Sequence, residues 1–197
     1  MLESVRLFIN RHIELTDEEF KTLASKLQLV SFDKKTKLVD IGEIATNIYF
    51  VLKGITRRYF YRGKQELITH LIREGGMMGS LISFLTGEPS RYVLETIEPV
   101  TAYAISKKDL EELFETDKKW EKFGRKIITA FFLQIEYHNI DMIRYSTKER
   151  FINFMKENPD LVLRVPQKYL ASYLEIQPET FSRLKHLLLH KAPPSPK

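Results

Sequence analysis

The chain has 197 residues, of which 43% are hydrophobic and 29% are charged, and its formal net charge at pH 7 is +5. These values are typical of globular proteins and exclude a fibrous or disordered chain. The length allows one domain with its own core and a small second unit. The sequence has no cysteine, which excludes disulfides, thiolate nucleophiles and cysteine-ligated metal clusters.

The first segment, MLESVRLFINRHIEL, contains charged and polar residues that interrupt every apolar run. It therefore has neither the apolar centre of a secretory signal peptide nor the length of a membrane span. We expect a cytoplasmic protein with no membrane partner.

Two helices are predicted before residue 27. Apolar residues recur at helical spacing over residues 2–13, and LTDEEFKTLASKL follows with Thr16 and Glu19 in the register of a capping box.

From Leu27 onward the apolar spacing changes to two, with many β-branched and aromatic residues. The segments with this pattern are LQLVSF, KLVDI, NIYFVLKG, ITRRYFYRG, QELITHLI, YVLETIE and VTAYAIS. Glycines between them mark turns, so the pattern predicts six or seven short strands in an antiparallel sandwich or roll.

Helical spacing returns between Lys107 and about Tyr145. Large side chains there recur every three or four residues, at Trp120, Phe123, Ile127, Phe131, Ile135, His138 and Met142. The segment IITAFFLQI is apolar around most of its circumference. Such a helix either is buried within its own monomer or forms a seam with a second copy. We favour the seam, because a roll of this size covers only one helix face.

The C-terminal part contains further helices. Ser146 and Glu149 form a second capping-box pair, which predicts a helix through Asn158 that Pro159 ends. Two short helical runs follow between Pro166 and Leu188, and Pro178 opens the second.

In the second run, spacing places polar and apolar residues on opposite faces. Glu179, Arg183, His186 and His190 are separated by four, three and four residues, while Phe181, Leu184 and Leu188 project from the other side. Periodicity alone is also satisfied by an ordinary helical hairpin with a solvated outer face.

The polar face has the chemistry of a DNA-binding helix. Arginine pairs with guanine edges in the major groove, and glutamate accepts a hydrogen bond from cytosine. Gln177, Thr180 and Ser182 lie near the helix N-terminus, where side chains and free backbone N–H groups can contact phosphates. From Ser146 onward there are nine Lys and Arg residues against five acidic ones, which favours a polyanionic partner.

The run QKYLASYLEIQPETFSRLKHLL resembles the helix-turn-helix of the cyclic AMP receptor/Fnr (Crp/Fnr) family of bacterial transcription regulators. The family's Glu-Thr-x-x-Arg pattern is matched by Glu179, Thr180 and Arg183. The similarity extends over nearly the whole chain: IYFVLKG resembles the family's strand and glycine turn, and MMGSLISFLTGEPSRYVLET resembles its phosphate-binding cassette.

The resemblance implies an α+β fold in three parts. These are an antiparallel β-roll of the cyclic-nucleotide-binding type (a double-stranded β-helix) over 1–116, a long dimerisation helix over 117–145, and a helix-turn-helix domain over 146–197. The turn has Glu175 where glycine is usual, so a left-handed backbone there would be strained. Only HKAPPSPK follows Leu189, so we expect no full wing after the helix-turn-helix and an irregular tail.

By this resemblance, the candidate ligand site comprises Gly79, Ser80, Leu81, Ser90, Arg91 and Tyr92. The family's cassette uses a glutamate to hold the ribose and an Arg-Ser or Arg-Thr pair to hold the cyclic phosphate. Here Ser80 replaces the glutamate, and Arg91 lies one position late, which in a strand reverses the face unless a bulge restores it. We therefore expect an unidentified effector other than cyclic AMP.

The predicted function is that of a homodimeric DNA-binding transcription regulator. Its candidate DNA-binding residues are Lys168, Gln177, Glu179, Thr180, Ser182, Arg183, Lys185 and His186. The predicted partners are double-stranded DNA, a second copy of the chain and, by the resemblance, RNA polymerase. The alternative is a small-molecule or cyclic-nucleotide sensor with weak or vestigial DNA binding. The sequence has no constellation typical of an enzyme or a metal site, and we predict neither catalysis nor a cofactor.

Overall fold

The computed structural model describes residues 2–189. In this range the helices are α1 (Leu2–Asn10), α2 (Asp17–Ser25), α3 (Leu81–Thr86), α4 (Lys107–Thr116), α5 (Lys118–Arg144), α6 (Thr147–Glu157), α7 (Pro159–Arg164), α8 (Gln167–Tyr173) and α9 (Pro178–Leu189). The strands are β1 (Gln28–Phe32), β2 (Lys37–Val39), β3 (Asn47–Lys53), β4 (Thr56–Arg62), β5 (Gln65–Ile72), β6 (Met77–Met78), β7 (Val93–Thr96) and β8 (Val100–Ser106). His190, the expected tail and the expected lack of a wing lie outside the described residues.

The strands form two four-stranded sheets, in the orders β1-β8-β3-β6 and β2-β7-β4-β5. Every pairing is antiparallel, which confirms the predicted roll. The seven strands that spacing predicts are present. The eighth, β6, was not predicted because two residues are too short to show a period.

Gly54 makes the turn between β3 and β4. Its φ is +97°, and a Cβ at this position would lie 2.4 Å from the carbonyl oxygen of Pro99. Only glycine fits such a close approach with a positive φ, so the turn allows the two sheets to fold over each other.

The N-terminal helices pack beside the first sheet. Thr16 caps α2, and its side chain and that of Glu19 make both hydrogen bonds of the predicted capping box. Val5 and Ile9 of α1 are buried in a cluster with Phe50 of β3 and Trp120 of α5. The N-terminal helices therefore connect the roll to the long helix.

The predicted helical segment after the roll is divided in two. Asp117 has an extended backbone, with φ −159°, and its carboxylate accepts a hydrogen bond from the Lys119 amide at 2.7 Å. This cap starts α5, which at about 1.5 Å per residue is about 40 Å long. Spacing does not predict the break, because no glycine or proline marks it.

The C-terminal unit contains α6 to α9 around a core of Phe151, Leu170, Ala171 and Phe181. The predicted capping box at Ser146 and Glu149 is present. The prediction that Pro159 only ends a helix was incomplete, since it also occupies the first turn of the short helix α7. A proline fits there because the first turn needs no N–H donor.

The C-terminal unit is docked against the second sheet. The Ser172 hydroxyl of α8 accepts a hydrogen bond from the Ile68 amide of β5 and donates one to the Glu66 carbonyl, both at 2.9 Å. This side chain pairs the polar groups that edge strand β5 would otherwise expose. Ile55 and Ile97 of the roll also belong to the core of the C-terminal unit.

Arg57 of β4 stabilises the same contact from the face of the second sheet that α8 covers. Its guanidinium carbon lies 4.1 Å from the ring centres of both Tyr59 and Tyr169 of α8. Its Nη2 donates to a Glu95 carboxylate oxygen at 2.9 Å, and Glu66 accepts a further hydrogen bond. Because its charge is paired with two carboxylates and its guanidinium stacks on two tyrosine rings, this buried arginine stabilises the docked arrangement.

Candidate nucleic-acid interface and ligand cavity

Helix α9 has the two faces that its sequence predicts. Phe181 is 1% exposed, and its ring packs edge-on against Phe151 at a centroid distance of 5.1 Å. On the other side, Glu179, Ser182, Arg183 and His186 line one shallow surface hollow with Pro178 and Leu187. The helix thus buries one stripe and presents acidic, hydroxyl and basic groups together on the other.

The turn before α9 has the predicted left-handed residue. Glu175 has φ +56°, the Ile176 amide donates to the Ala171 carbonyl at 3.0 Å, and the Glu175 amide donates to Ser172 at 3.1 Å. These are the paired hydrogen bonds of a Schellman motif, in which glycine usually supplies the left-handed position. The turn forms without glycine, at a conformational cost to Glu175.

The remaining candidate DNA-binding residues lie outside this hollow. Gln177 is exposed just before α9, while Thr180 and Lys185 are half-buried on its flanks. Lys168 is exposed on the preceding helix α8, with its Nζ 5.0 Å from the ring centre of Tyr169. The structure therefore brings four of the eight residues onto one face of α9 and places three others beside it, with Lys168 on a different helix.

Helix α5 exposes a broad apolar surface. Phe132 is 59% exposed and Ile143 is 88% exposed, and Ile128, Ile135 and Ile140 are also exposed. The roll packs against this helix at Trp120, which is buried with Phe50, whereas Phe132 and Ile143 stay exposed within residues 2–189. Large exposed apolar patches of this kind mark interaction sites.

In the cassette segment, the candidate ligand residues divide by orientation. Ser80 and Ser90 are buried, their hydroxyls lie 2.9 Å apart, and Ser90 also donates to the Tyr92 carbonyl at 2.8 Å. Arg91 is 81% exposed, and Glu88 at 3.9 Å is its ion-pair partner. The one-residue displacement thus comes with an arginine that faces solvent, and its role in ligand binding stays a prediction.

The other two candidates, Gly79 and Leu81, line a cavity of about 590 Å³, named here the junction cavity. It lies where the second sheet, α5 and the C-terminal unit meet. Arg58 and His70 also line it, although sequence reasoning did not select them. The available signal was the pair Arg57-Arg58 within the otherwise apolar and aromatic strand ITRRYFY.

Within residues 2–189, no group of three His, Cys, Asp or Glu side chains is placed to hold a metal ion. None of the helices in that range is both long enough and apolar enough to cross a membrane.

Comparison with known proteins finds a family match for the roll. Residues 29–117 match the model of the cyclic nucleotide-binding domain family. No match was found among curated proteins.

Solved structures resemble most of the chain. FixK2 from Bradyrhizobium japonicum has a TM-score of 0.71 at 22% identity, covering 84% of this chain and 85% of that chain. A protein from Eubacterium rectale assigned to the Crp/Fnr family of transcriptional regulators has a TM-score of 0.69 at 13% identity, covering 89% and 85%. The catabolite activator protein of Thermus thermophilus has a TM-score of 0.56 at 18% identity, covering 90% and 85%.

The roll, the long helix and the following helices thus have the order and arrangement found in those structures. Residues 29–117 therefore resemble the cyclic nucleotide-binding domain, and the chain shares its fold with FixK2 and with the Crp/Fnr-family protein from Eubacterium rectale.

Proposed function

We propose that this protein is a homodimeric transcription regulator that acts on DNA in the cytoplasm and responds to an effector other than cyclic AMP. Helix α9 enters the major groove, with Glu179 and Arg183 against base edges and Lys168, Thr180, Ser182 and Lys185 around the phosphates. RNA polymerase is the further partner that the family resemblance implies.

The main support is the orientation of α9. Phe181 anchors the helix in the core of its unit, and Glu179 and Arg183 face solvent on the opposite side. A rigid helix that presents an arginine and an acid together can discriminate bases, because each pairs with a different base edge.

The exposed apolar surface of α5 supports the homodimer. A seam along this helix would remove Phe132 and Ile143 from water in both copies at once. A symmetric pair of α9 helices then matches two half-sites about 34 Å apart, which predicts a near-palindromic operator.

The cassette supports an effector other than cyclic AMP. Ser80 has no carboxylate to hold a ribose, it is occupied by its hydrogen bond to Ser90, and Arg91 faces solvent. The groups that would hold the sugar and the cyclic phosphate are therefore absent from these positions.

The second candidate function is a sensor whose DNA binding is weak. It is favoured by the docking of α8, where Ser172 is hydrogen-bonded to β5 and Tyr169 covers Arg57. A docked helix-turn-helix can move toward DNA only by breaking these contacts. Calorimetry with DNA and with cyclic nucleotides distinguishes the two candidates, since the sensor gives heat only with a small molecule.

The DNA-binding role is tested by Arg183→Ala. On a duplex recovered from a random pool, the loss of one bidentate base contact is expected to cost about 1–3 kcal/mol of binding free energy and to relax preference at one base pair. Fluorescence anisotropy with the recovered duplex and its single-base variants measures both effects.

Arg91→Ala is the matched control, because it removes the same charge from an exposed position on the roll. It should leave DNA affinity unchanged. An equal loss on every duplex for Arg183→Ala would contradict base recognition and would leave only a phosphate contact.

A further inference from the structure

Three parts of the molecule supply most of the wall of the junction cavity, and Phe8 of α1, with Arg11 and His12 just after it, completes the wall. Arg58, His70 and Met78 come from the roll, Phe131 and Gln134 from α5, and Asn158 and Tyr173 from the C-terminal unit. Its volume of about 590 Å³ is in the range of small-molecule sites. A molecule bound there would contact all three parts at once.

Arg58 is a half-buried cation in this cavity whose described partners are all uncharged. Its Nε donates to the Thr69 hydroxyl at 3.0 Å, its Nη2 lies 2.6 Å from Nδ1 of His70, and the Tyr92 ring centre is 4.8 Å from its guanidinium carbon. Burial, with Arg58 beside it, lowers the pKa of His70 to about 3, so this ring is neutral at pH 7. The arginine charge is therefore not compensated by these neighbours.

The adjacent Arg57 shows what compensation looks like in the same strand. It is paired with the carboxylates of Glu95 and Glu66. A buried charge that lacks an ionic partner is costly, and an anion supplied by a ligand would remove that cost.

The other charged groups of the cavity wall do not supply this anion. Arg73 is paired with Asp160, and Glu74 is paired with Arg164. Arg11 adds a further cation at the wall. The described wall therefore carries more positive than negative charge, and the Glu74 carboxylate is already paired with Arg164.

The rest of the wall is largely apolar. Leu94, Ile127, Phe131, Ile135 and Tyr173 line it beside Arg58. Apolar side chains beside a half-buried cation that lacks an ionic partner fit a molecule that has an aromatic or aliphatic body and one anionic group.

We propose that the effector of this protein is a small amphipathic organic anion that is not a cyclic nucleotide, held in the junction cavity with its anionic group on the Arg58 guanidinium. That the bound molecule acts as an effector rests on the proposed function. That an organic anion binds in the junction cavity does not depend on it. Because Asn158 and Tyr173 belong to the DNA-binding unit, occupancy of the cavity biases how that unit is docked.

The probe is 8-anilinonaphthalene-1-sulfonate, an aromatic anion whose fluorescence rises in apolar sites. N-phenyl-1-naphthylamine has the same aromatic skeleton without the sulfonate and reports binding that does not need an anion, including binding in the apolar cavity of about 670 Å³ beside α1. Both are titrated into the full-length protein without DNA, so failure of DNA binding does not affect the result.

Arg58→Met removes the cation and keeps a long apolar side chain. We expect it to weaken binding of the anionic probe by about tenfold or more, since a charge-assisted hydrogen bond is lost, and to leave binding of the neutral probe unchanged. Arg62→Met, at an exposed position at the end of β4, should change neither.

A second variant, Gln134→Trp, keeps Arg58 and fills the cavity from α5. It should also weaken binding of the anionic probe, and it tests the site if Arg58→Met does not fold. The proposal is overturned if both variants bind the anionic probe as the wild type does, or if Arg58→Met weakens both probes equally. Displacement of the anionic probe by cyclic AMP would overturn the exclusion of cyclic nucleotides.

Discussion

Arg57 and Arg58 are neighbours in β4, yet their side chains have opposite environments. Arg57 is paired with two carboxylates and stacked between two tyrosines, whereas Arg58 lies against uncharged groups in the junction cavity. Alternation along a strand places them on different faces. Sequence could indicate that two arginines in such a strand are unusual, but the faces and partners depend on strands far along the chain.

The recognition face of α9 was more predictable, because it depends on local spacing. Glu179, Arg183 and Phe181 are fixed relative to one another by the helix period alone. The orientation of Arg91 was also foreseeable from its one-residue displacement. By contrast, the bond between Ser80 and Ser90 joins residues whose contact depends on the fold of the cassette.

The left-handed Glu175 leads to a prediction about stability. Glu175→Gly removes the steric cost of a positive φ, offset in part by the greater freedom of glycine in the unfolded chain, and should raise the free energy of unfolding by about 0.5–1 kcal/mol. Urea unfolding measures the change. Glu175→Ala retains a Cβ and is the matched control. An equal rise in the free energy of unfolding in both variants would contradict the claim that the left-handed Glu175 is strained.

At the scale of elements, period and capping predicted most helices and strands correctly. The two capping boxes are examples, because each depends only on residues three apart. The helix boundaries that were predicted incorrectly lie at residues that fit two structures, or at residues that carry no boundary signal. Pro159 can end a helix or begin one, and Asp117 interrupts a helical pattern without glycine or proline.

The apolar surface of α5 leads to a prediction about assembly. Phe132→Glu or Ile143→Glu places a charge where a dimer would bury an apolar side chain, which is costly unless the copies separate. We expect each variant to sediment as a monomer where the wild type sediments as a dimer, and to lose affinity for a duplex with two half-sites.

Leu163→Glu is the control, since Leu163 is an apolar residue of α7 with 86% exposure, close to the 88% of Ile143. This variant should sediment as the wild type does. A monomeric wild-type protein, or α5 variants that remain dimeric, would contradict the prediction that two copies associate along α5.

At the scale of the whole molecule, the C-terminal unit is held to the roll by polar contacts as well as by its core. Arg164 donates to Glu74 at 2.6 Å and also to Glu98, while Arg73 is paired with Asp160. Such contacts between parts of the chain could not be predicted from sequence, because each joins residues more than 60 positions apart.

These contacts make docking sensitive to acid. Burial alone would raise the pKa of Glu74, but hydrogen bonds from Arg164 and backbone amides lower it to about 2, compared with 4.5 for a free side chain. The undocked state therefore takes up a proton first, so the stabilisation is complete above pH 4.5 and is lost as the pH falls toward 2.

Because the chain has no cysteine, one dye pair can be attached at Lys64→Cys and Lys156→Cys to follow docking by energy transfer. The transfer efficiency should change between pH 4.5 and 2. In Glu74→Gln the change over this range should be smaller, since this carboxylate no longer titrates. The same profile in both proteins would contradict the role of Glu74.

The central claim is that two copies of this chain recognise DNA through α9, and selection of bound duplexes from a random pool tests it most directly. The account predicts enrichment of a near-palindromic sequence whose half-sites are about 34 Å apart, one turn of the double helix. Recovery of no enriched sequence, or of a single half-site without a symmetric partner, would contradict it.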